Sequence, residues 1–193
     1  MAILAGDGLL NFAYQTAAET LSVAGMEQCA ARALQLLTIR PGINGMLGGQ
    51  VIDIEMEQGK QKVTFESLCQ MYEKKTSALI SCALEMGCVL AGGSEEQRLE
   101  MKEIGRLVGL AFQVQDDILD VTGDEAKLGK PLHSDEKNQK ITCATLLGLE
   151  EASRQVSIWS QDAIRRMEQL EALNPDYDGF LSRLIAYLID RDH

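Results

Sequence analysis

The segment of residues 112–120 carries the strongest chemical signal in the chain, with Asp116, Asp117 and Asp120 in a D-D-x-x-D pattern. On a helix, Asp116 and Asp120 are four residues apart and Asp117 and Asp120 three, so all three carboxylates can face one pocket. An apolar run over residues 107–112 leads into them, and Gly123 and Gly129 follow. The acids therefore sit near the C-terminal end of their helix, which carries partial negative charge. Like charges gathered there call for a cation. Hard oxygen donors suit Mg²⁺, which keeps several waters and bridges one or two carboxylates to a substrate phosphate; Mn²⁺ is another ion such donors accept. A solvated acidic helix end is the plain alternative.

Two further groups could serve an anionic ligand. Lys75 and Thr76 stand where a helical pattern turns from charged to nearly uncharged; beyond them only Glu85 breaks the apolar run. A half-buried lysine at such a border is a point charge suited to phosphate, although a snorkelling surface lysine has the same pattern. Lys127, Lys130, Lys137 and Lys140 gather shortly after the three carboxylates. They either neutralise an acidic patch or form a lid that shares a polyphosphate with the metal. Gln50 and Asp53 are three apart on a helical stretch and share a face; a polar helix edge would do the same.

The elements that position these residues are expected to be helices. Only 3 prolines and 5% aromatics occur among 193 residues, and Ala, Leu, Met, Glu and Gln are plentiful. Apolar spacing predicts helices over 2–22, 26–39, from Pro41 to about Gln58, from Phe65 to about Leu90 and from about residue 95 to the Asp cluster. Two more are predicted, over 141–173 and 178–189, with a loop over 121–139. Thr64 and the Ser94-x-x-Gln97 box read as N-caps. No strand pattern persists, so the expected architecture is one all-α domain over residues 1–193. The formal net charge of −11 argues against nucleic acid or an anionic membrane as partner. Five cysteines at irregular spacing read as free thiols in a reducing compartment. No secretory leader and no membrane span is apparent, so a cytoplasmic location with no stable membrane association is expected.

Five segments, taken together, resemble bacterial short-chain trans-isoprenyl diphosphate synthases of the farnesyl or geranyl (geranyltranstransferase) type. They are residues 4–10, Gly48-Gly49-Gln50-x-x-Asp53, Lys75-Thr76-x-Ala78-Leu79-Ile80, Phe112-Gln113-x-Gln115-Asp116-Asp117-x-x-Asp120, and Gly129-Lys130 with Asp135 and Lys140-x-Thr142. The resemblance implies an all-α bundle around a deep apolar cavity. Two Asp-rich motifs there hold Mg²⁺ on an allylic diphosphate, dimethylallyl or geranyl. Metal charge draws off the diphosphate, isopentenyl diphosphate attacks the allylic cation, and a proton is lost. By the same resemblance, Asp116, Asp117 and Asp120 correspond to the second metal motif. Lys75, Lys130 and Lys140 correspond to diphosphate ligands, Thr76 and Gln113 to polar groups near the reacting carbons, and Gln50, Asp53 and Phe112 to the cavity lining. The family pairs as homodimers through helices that match residues 1–58.

The sequence departs from the family pattern in one large respect. The first Asp-rich motif of the family lies before the segment matching residues 4–10, and here only Met1, Ala2 and Ile3 precede it. The resemblance thus implies the C-terminal portion of such an enzyme, with its N-terminal helices missing and unable to elongate a prenyl chain alone. Tyr72 stands where a His is common, and Cys143 where an aromatic is. Two other roles on the same fold are a non-catalytic partner subunit and a terpene synthase that ionises a diphosphate.

Overall fold

The computed structural model describes residues 1–123, 140–174 and 176–189. Every regular element among them is helical, as composition and spacing imply. In order they are α1 (Ala2–Glu19), followed by a 3-10 turn (Thr20–Ser22), α2 (Glu27–Ile39), α3 (Met46–Glu57), α4 (Phe65–Tyr72), α5 (Ala78–Leu90), α6 (Glu95–Thr122), α7 (Cys143–Leu147), α8 (Leu149–Glu171) and α9 (Phe180–Ile189). A five-residue π-turn, Glu73–Ser77, joins α4 to α5 without a loop.

The 28-residue helix α6 is the axis of the bundle. Its apolar residues recur at helical spacing on more than one side, so it is wrapped rather than laid on a surface. Ile104, Leu107, Val108, Leu110, Ala111, Val114 and Ile118 are all buried. They meet Leu68 and Met71 of α4 and Ala152, Val156, Ala163 and Met167 of α8 in one core. Each large aliphatic side chain buried there stabilises the fold by about 1.5–3 kcal/mol. Two glycines let α5 lie directly on α6. A Cβ on Gly105 would come within 2.5 Å of Ser81 Cα, and one on Gly109 within 2.4 Å of Ser77 Cα. The facing serines use that closeness: Ser77 donates to the Arg106 carbonyl at 3.0 Å and Ser81 to the Lys102 carbonyl at 2.9 Å.

The helix starts follow the expected side-chain caps. Ser94 accepts from the Gln97 amide, and Gln97 Oε1 accepts from the Ser94 amide. Thr64 caps α4 in the same reciprocal way, with Ser67 as its partner. Three expectations need correction. The helix expected to start at Pro41 starts at Met46, because residues 40–45 close a turn in which Arg40 O accepts from Met46 N at 2.9 Å. The single helix expected over 141–173 is two: Gly148 adopts φ 83°, a left-handed conformation that ends α7 and starts α8 on a new line. The continuous helix expected from Phe65 to Leu90 contains the π-turn. By contrast α1, although apolar, buries none of its residues. Among the described residues no helix is long and apolar enough to cross a membrane.

Candidate active site

The π-turn contains Lys75 and Thr76, two of the residues singled out by their position on a wet-to-dry border. Such a turn fits one extra residue into a helical run and is frequent at functional sites. It is held from several sides. Gly49 of α3 presses on it so closely that a Cβ there would lie 2.3 Å from Lys75 N. Ser77, which is buried, faces Gly109 of α6. Arg106 Nη1 reaches Glu73 Oε1 at 2.6 Å and ties the first residue of the turn to α6. Arg106 also pairs with Glu103 on its own helix at 2.7 Å.

The same run of α4 and the π-turn is joined to the C-terminal third of α6 by two side-chain rungs. Thr76 Oγ1 donates to Gln113 Oε1 at 2.9 Å, and Tyr72 OH donates to Asp117 Oδ2 at 2.5 Å. Cys143, the first residue of α7, directs its amide to the same oxygen at 3.0 Å and also approaches Tyr72 OH at 3.3 Å. Burial pushes the Tyr72 phenol far above its ordinary range, and the negative charge of Asp117 adds to it. Tyr72 therefore stays protonated and donates. Burial first and Asp117 second push the Cys143 thiol up to about 12. Burial and then Glu73 push Cys69 up to about 11. Neither thiol is a thiolate near neutral pH, so these two cysteines are packing residues rather than nucleophiles.

Asp53 closes the arrangement. It is 6% exposed, at the middle of α3. Lys75 Nζ donates to its Oδ2 at 2.5 Å, while Lys140 Nζ lies 2.9 Å from Oδ1 and 3.2 Å from Oδ2. Glu57, one turn on, is 3.5 Å from Lys140 Nζ. Burial raises the Asp53 carboxyl, but the hydrogen bonds and charges of the two lysines outweigh it and hold the group below the ordinary carboxylate range. These bonds, together with the stretches of chain between them, close a ring. It runs from Asp53 to Lys75, through Thr76 to Gln113 and down α6 to Asp117. It then crosses to Cys143 and returns through Lys140 to Asp53.

The three carboxylates of the D-D-x-x-D pattern are not equivalent. Asp117, 4% exposed, turns Oδ2 inward to Tyr72 and the start of α7. Asp120 is 3% exposed, and Asp116 is half-buried one turn before it. Among the described residues no three His, Cys, Asp or Glu side chains converge as a ready metal cage. Two hard carboxylates a turn apart are nonetheless the donor set Mg²⁺ uses when waters and a substrate phosphate complete its shell. Phe112 is half-buried beside Gln113 in sequence, and Gln50 is exposed while Asp53, three residues on, is covered. Lys127, Lys130, Lys137 and Asp135 lie outside the described residues. Sequence reasoning missed Tyr72 as the partner of Asp117. It also missed Asp53 as the carboxylate between two lysines, 22 and 87 residues away from it.

Comparison with known proteins places the chain in a family. The family model described as Polyprenyl synthetase matches residues 1–174. A farnesyl diphosphate synthase of Geobacillus stearothermophilus is 36% identical over 194 residues, covering 100% of this chain and 63% of the relative. One from Escherichia coli (strain K12) is 38% identical over 196 residues, with 99% and 63% covered. Among solved structures, a geranyltransferase of Helicobacter pylori, crystallised with magnesium and isoprenyl diphosphate, aligns with a TM-score of 0.78. It is 32% identical and is covered over 97% of this chain and 59% of its own. The all-α fold is thus shared with a protein crystallised with isoprenyl diphosphate. The chain belongs to the polyprenyl synthetase family. It spans about 63% of the length of those two curated relatives.

Proposed function

We propose that the protein is a prenyltransferase that condenses isopentenyl diphosphate with an allylic diphosphate, dimethylallyl or geranyl, to give geranyl or farnesyl diphosphate. The observation that carries this reading is the ring joining Lys75, Thr76, Gln113, Asp117 and Lys140 around the carboxylate end of α6. The names of the relatives support the substrate class. Lys75 and Lys140, with Lys130, bind the negative oxygens of the allylic diphosphate as point charges. Asp116 and Asp120 would hold Mg²⁺, with Asp117 beside them braced by Tyr72 and the α7 amide. When bound, the metal supplies positive charge that stabilises the departing diphosphate. The Thr76–Gln113 pair presents oriented dipoles to the allylic carbons, and Phe112 with the apolar face of α6 keeps water from the cation.

A cytoplasmic homodimer is the assembly that fits this reading. Ile43, Leu47, Val51 and Ile54 form an exposed apolar stripe over the turn before α3 and α3 itself, and Ile3, Leu4, Leu9 and Phe12 are exposed on α1. Light scattering of the purified protein should give the mass of two chains.

The direct test incubates the protein with geranyl diphosphate, labelled isopentenyl diphosphate and Mg²⁺. Mg²⁺-dependent binding of geranyl diphosphate should be measurable and should weaken by about tenfold or more in Asp116→Asn, while label entering farnesyl diphosphate would show in addition that this chain elongates alone. Absence of any Mg²⁺-dependent binding of the allylic diphosphate would overturn this reading of the site.

A further inference from the structure

Two lysines from separate parts of the chain converge on one buried carboxylate. Lys75 comes from the π-turn and Lys140 from the segment entering α7, and both ammonium groups touch Asp53 Oδ2. Two positive charges sharing one oxygen repel each other; only the carboxylate between them makes that closeness favourable. The lysines are partly open, with side chains 25% and 20% exposed, whereas the Asp53 side chain is 8% exposed. The carboxylate is thus the inner member of the group, and the ammonium groups are its outer members. An ammonium has three donors, so a bond to Asp53 does not use up Lys75. Asp53 itself is poorly placed to touch an anion, and its charge would repel one.

We propose that Asp53 is a positioning residue for the diphosphate site: it gathers Lys75 and Lys140 at one point, so that both charges meet the diphosphate as a unit. This role rests on the reading of those lysines as diphosphate ligands. It differs from a cavity-wall role, because Asp53 acts through the lysines and not on the substrate. It also differs from a plain tie between α3 and the π-turn. A tie would affect stability alone, while a gathering role makes the contribution of each lysine depend on the other.

The test is a set of binding constants for inorganic diphosphate at fixed Mg²⁺, measured by calorimetry on the 193-residue chain. The variants are Lys75→Met, Lys140→Met and the double substitution, first alone and then each combined with Asp53→Asn. With Asp53 present, either lysine substitution should weaken binding by roughly tenfold, and the double substitution should cost little more than one. Asp53→Asn alone should weaken binding by roughly tenfold, and in its background the two lysine losses should multiply. The same non-additivity in both backgrounds, or an Asp53→Asn protein that binds as tightly as the wild type or tighter, would overturn the role. Diphosphate binding that ignores both lysine substitutions, or that the unaltered protein does not show, would instead remove the ligand reading itself and the role with it. Should the neutral variant lose its helical circular dichroism, Asp53→Glu answers in its place. Moving the charge by one methylene should abolish the coupling between the lysines, and its retention would overturn the proposal.

Discussion

Among the described residues, Glu85 and Asp53 are buried carboxylates each clasped between a pair of cations, and the two clasps are built differently. Glu85 of α5 is wholly buried and takes Arg40, at the end of α2, on one oxygen and Arg98 of α6 on the other. Arg98 is itself held by Glu95 through two more bonds, at 2.8 and 2.5 Å. Guanidinium forks fix their partners in a plane and spend several donors at once. That clasp ties the end of α2 to α5 and α6 through a carboxylate with no exposed surface. Asp53 takes two lysines, whose charges are compact, rotatable and partly open to solvent. The arginine clasp is a joint, while the lysine clasp is the one that the proposed function makes a receptor for diphosphate. Cation choice, more than burial of the carboxylate, separates a structural ion group from one that can change partners.

Glu85→Gln should have the largest effect on stability. It leaves two arginines without their shared charge in a dry site, which costs on the order of 3–5 kcal/mol. Urea unfolding followed by circular dichroism should show it, while inorganic diphosphate affinity of the folded fraction stays within about twofold. A large loss of affinity with little loss of stability would erase the distinction between the clasps.

Gly49→Ala comes next. Its methyl group meets backbone atoms of Lys74 and Lys75 at 2.3–2.8 Å, which cannot rotate away. A cost of about 1–3 kcal/mol is expected, together with weaker diphosphate binding, since the π-turn that presents Lys75 must shift. Unchanged binding in the alanine variant would detach the turn from ligand recognition.

Asp53→Asn should cost less stability than Glu85→Gln, and its cost should depend on pH. The Asp53 carboxyl sits below its unfolded value, so its charge contributes stability above about pH 4. That contribution is lost as pH falls through the lower value in the folded state. The gap between wild type and variant should therefore narrow on acidification, as read from urea midpoints between pH 7 and pH 3. A gap that stays constant would mean the lysines do not stabilise the ionised form. The smallest effect belongs to Arg106→Ala. Its pairs with Glu73 and Glu103 are about one-third exposed, and the change should cost under about 1 kcal/mol.

How much of this was legible in the sequence varies with the range of the interaction. Thr64 and Ser94 announced their helix starts, because a cap and its partner lie three residues apart. The spacing of Asp116, Asp117 and Asp120 placed them close together near the end of one helix in the same local way, and Lys75 and Thr76 were marked by a local change in charge density. The π-turn was not legible. One extra residue in a turn leaves composition and capping untouched, and spacing is too coarse to register it. Nor was the hydrogen bond that turns Asp117 inward, because its donors Tyr72 and the Cys143 amide are 45 and 26 residues away. Asp53 looked like a polar helix edge beside Gln50. Only the packing of α3 against the π-turn, which Gly49 permits, buries one of that pair and leaves the other in water.

The π-turn has a consequence for how this chain tolerates changes of length. Removing one residue between Glu73 and Ser77 would restore an ordinary α-helix and improve its local hydrogen bonding. It would also rotate everything beyond by about 100°. Ser77 and Ser81 would then leave Gly109 and Gly105, and Glu85 would swing away from Arg98. A single-residue deletion here is locally favourable and globally ruinous, so the irregular turn is locked in place by the helices that pack on it and on the helix that follows it.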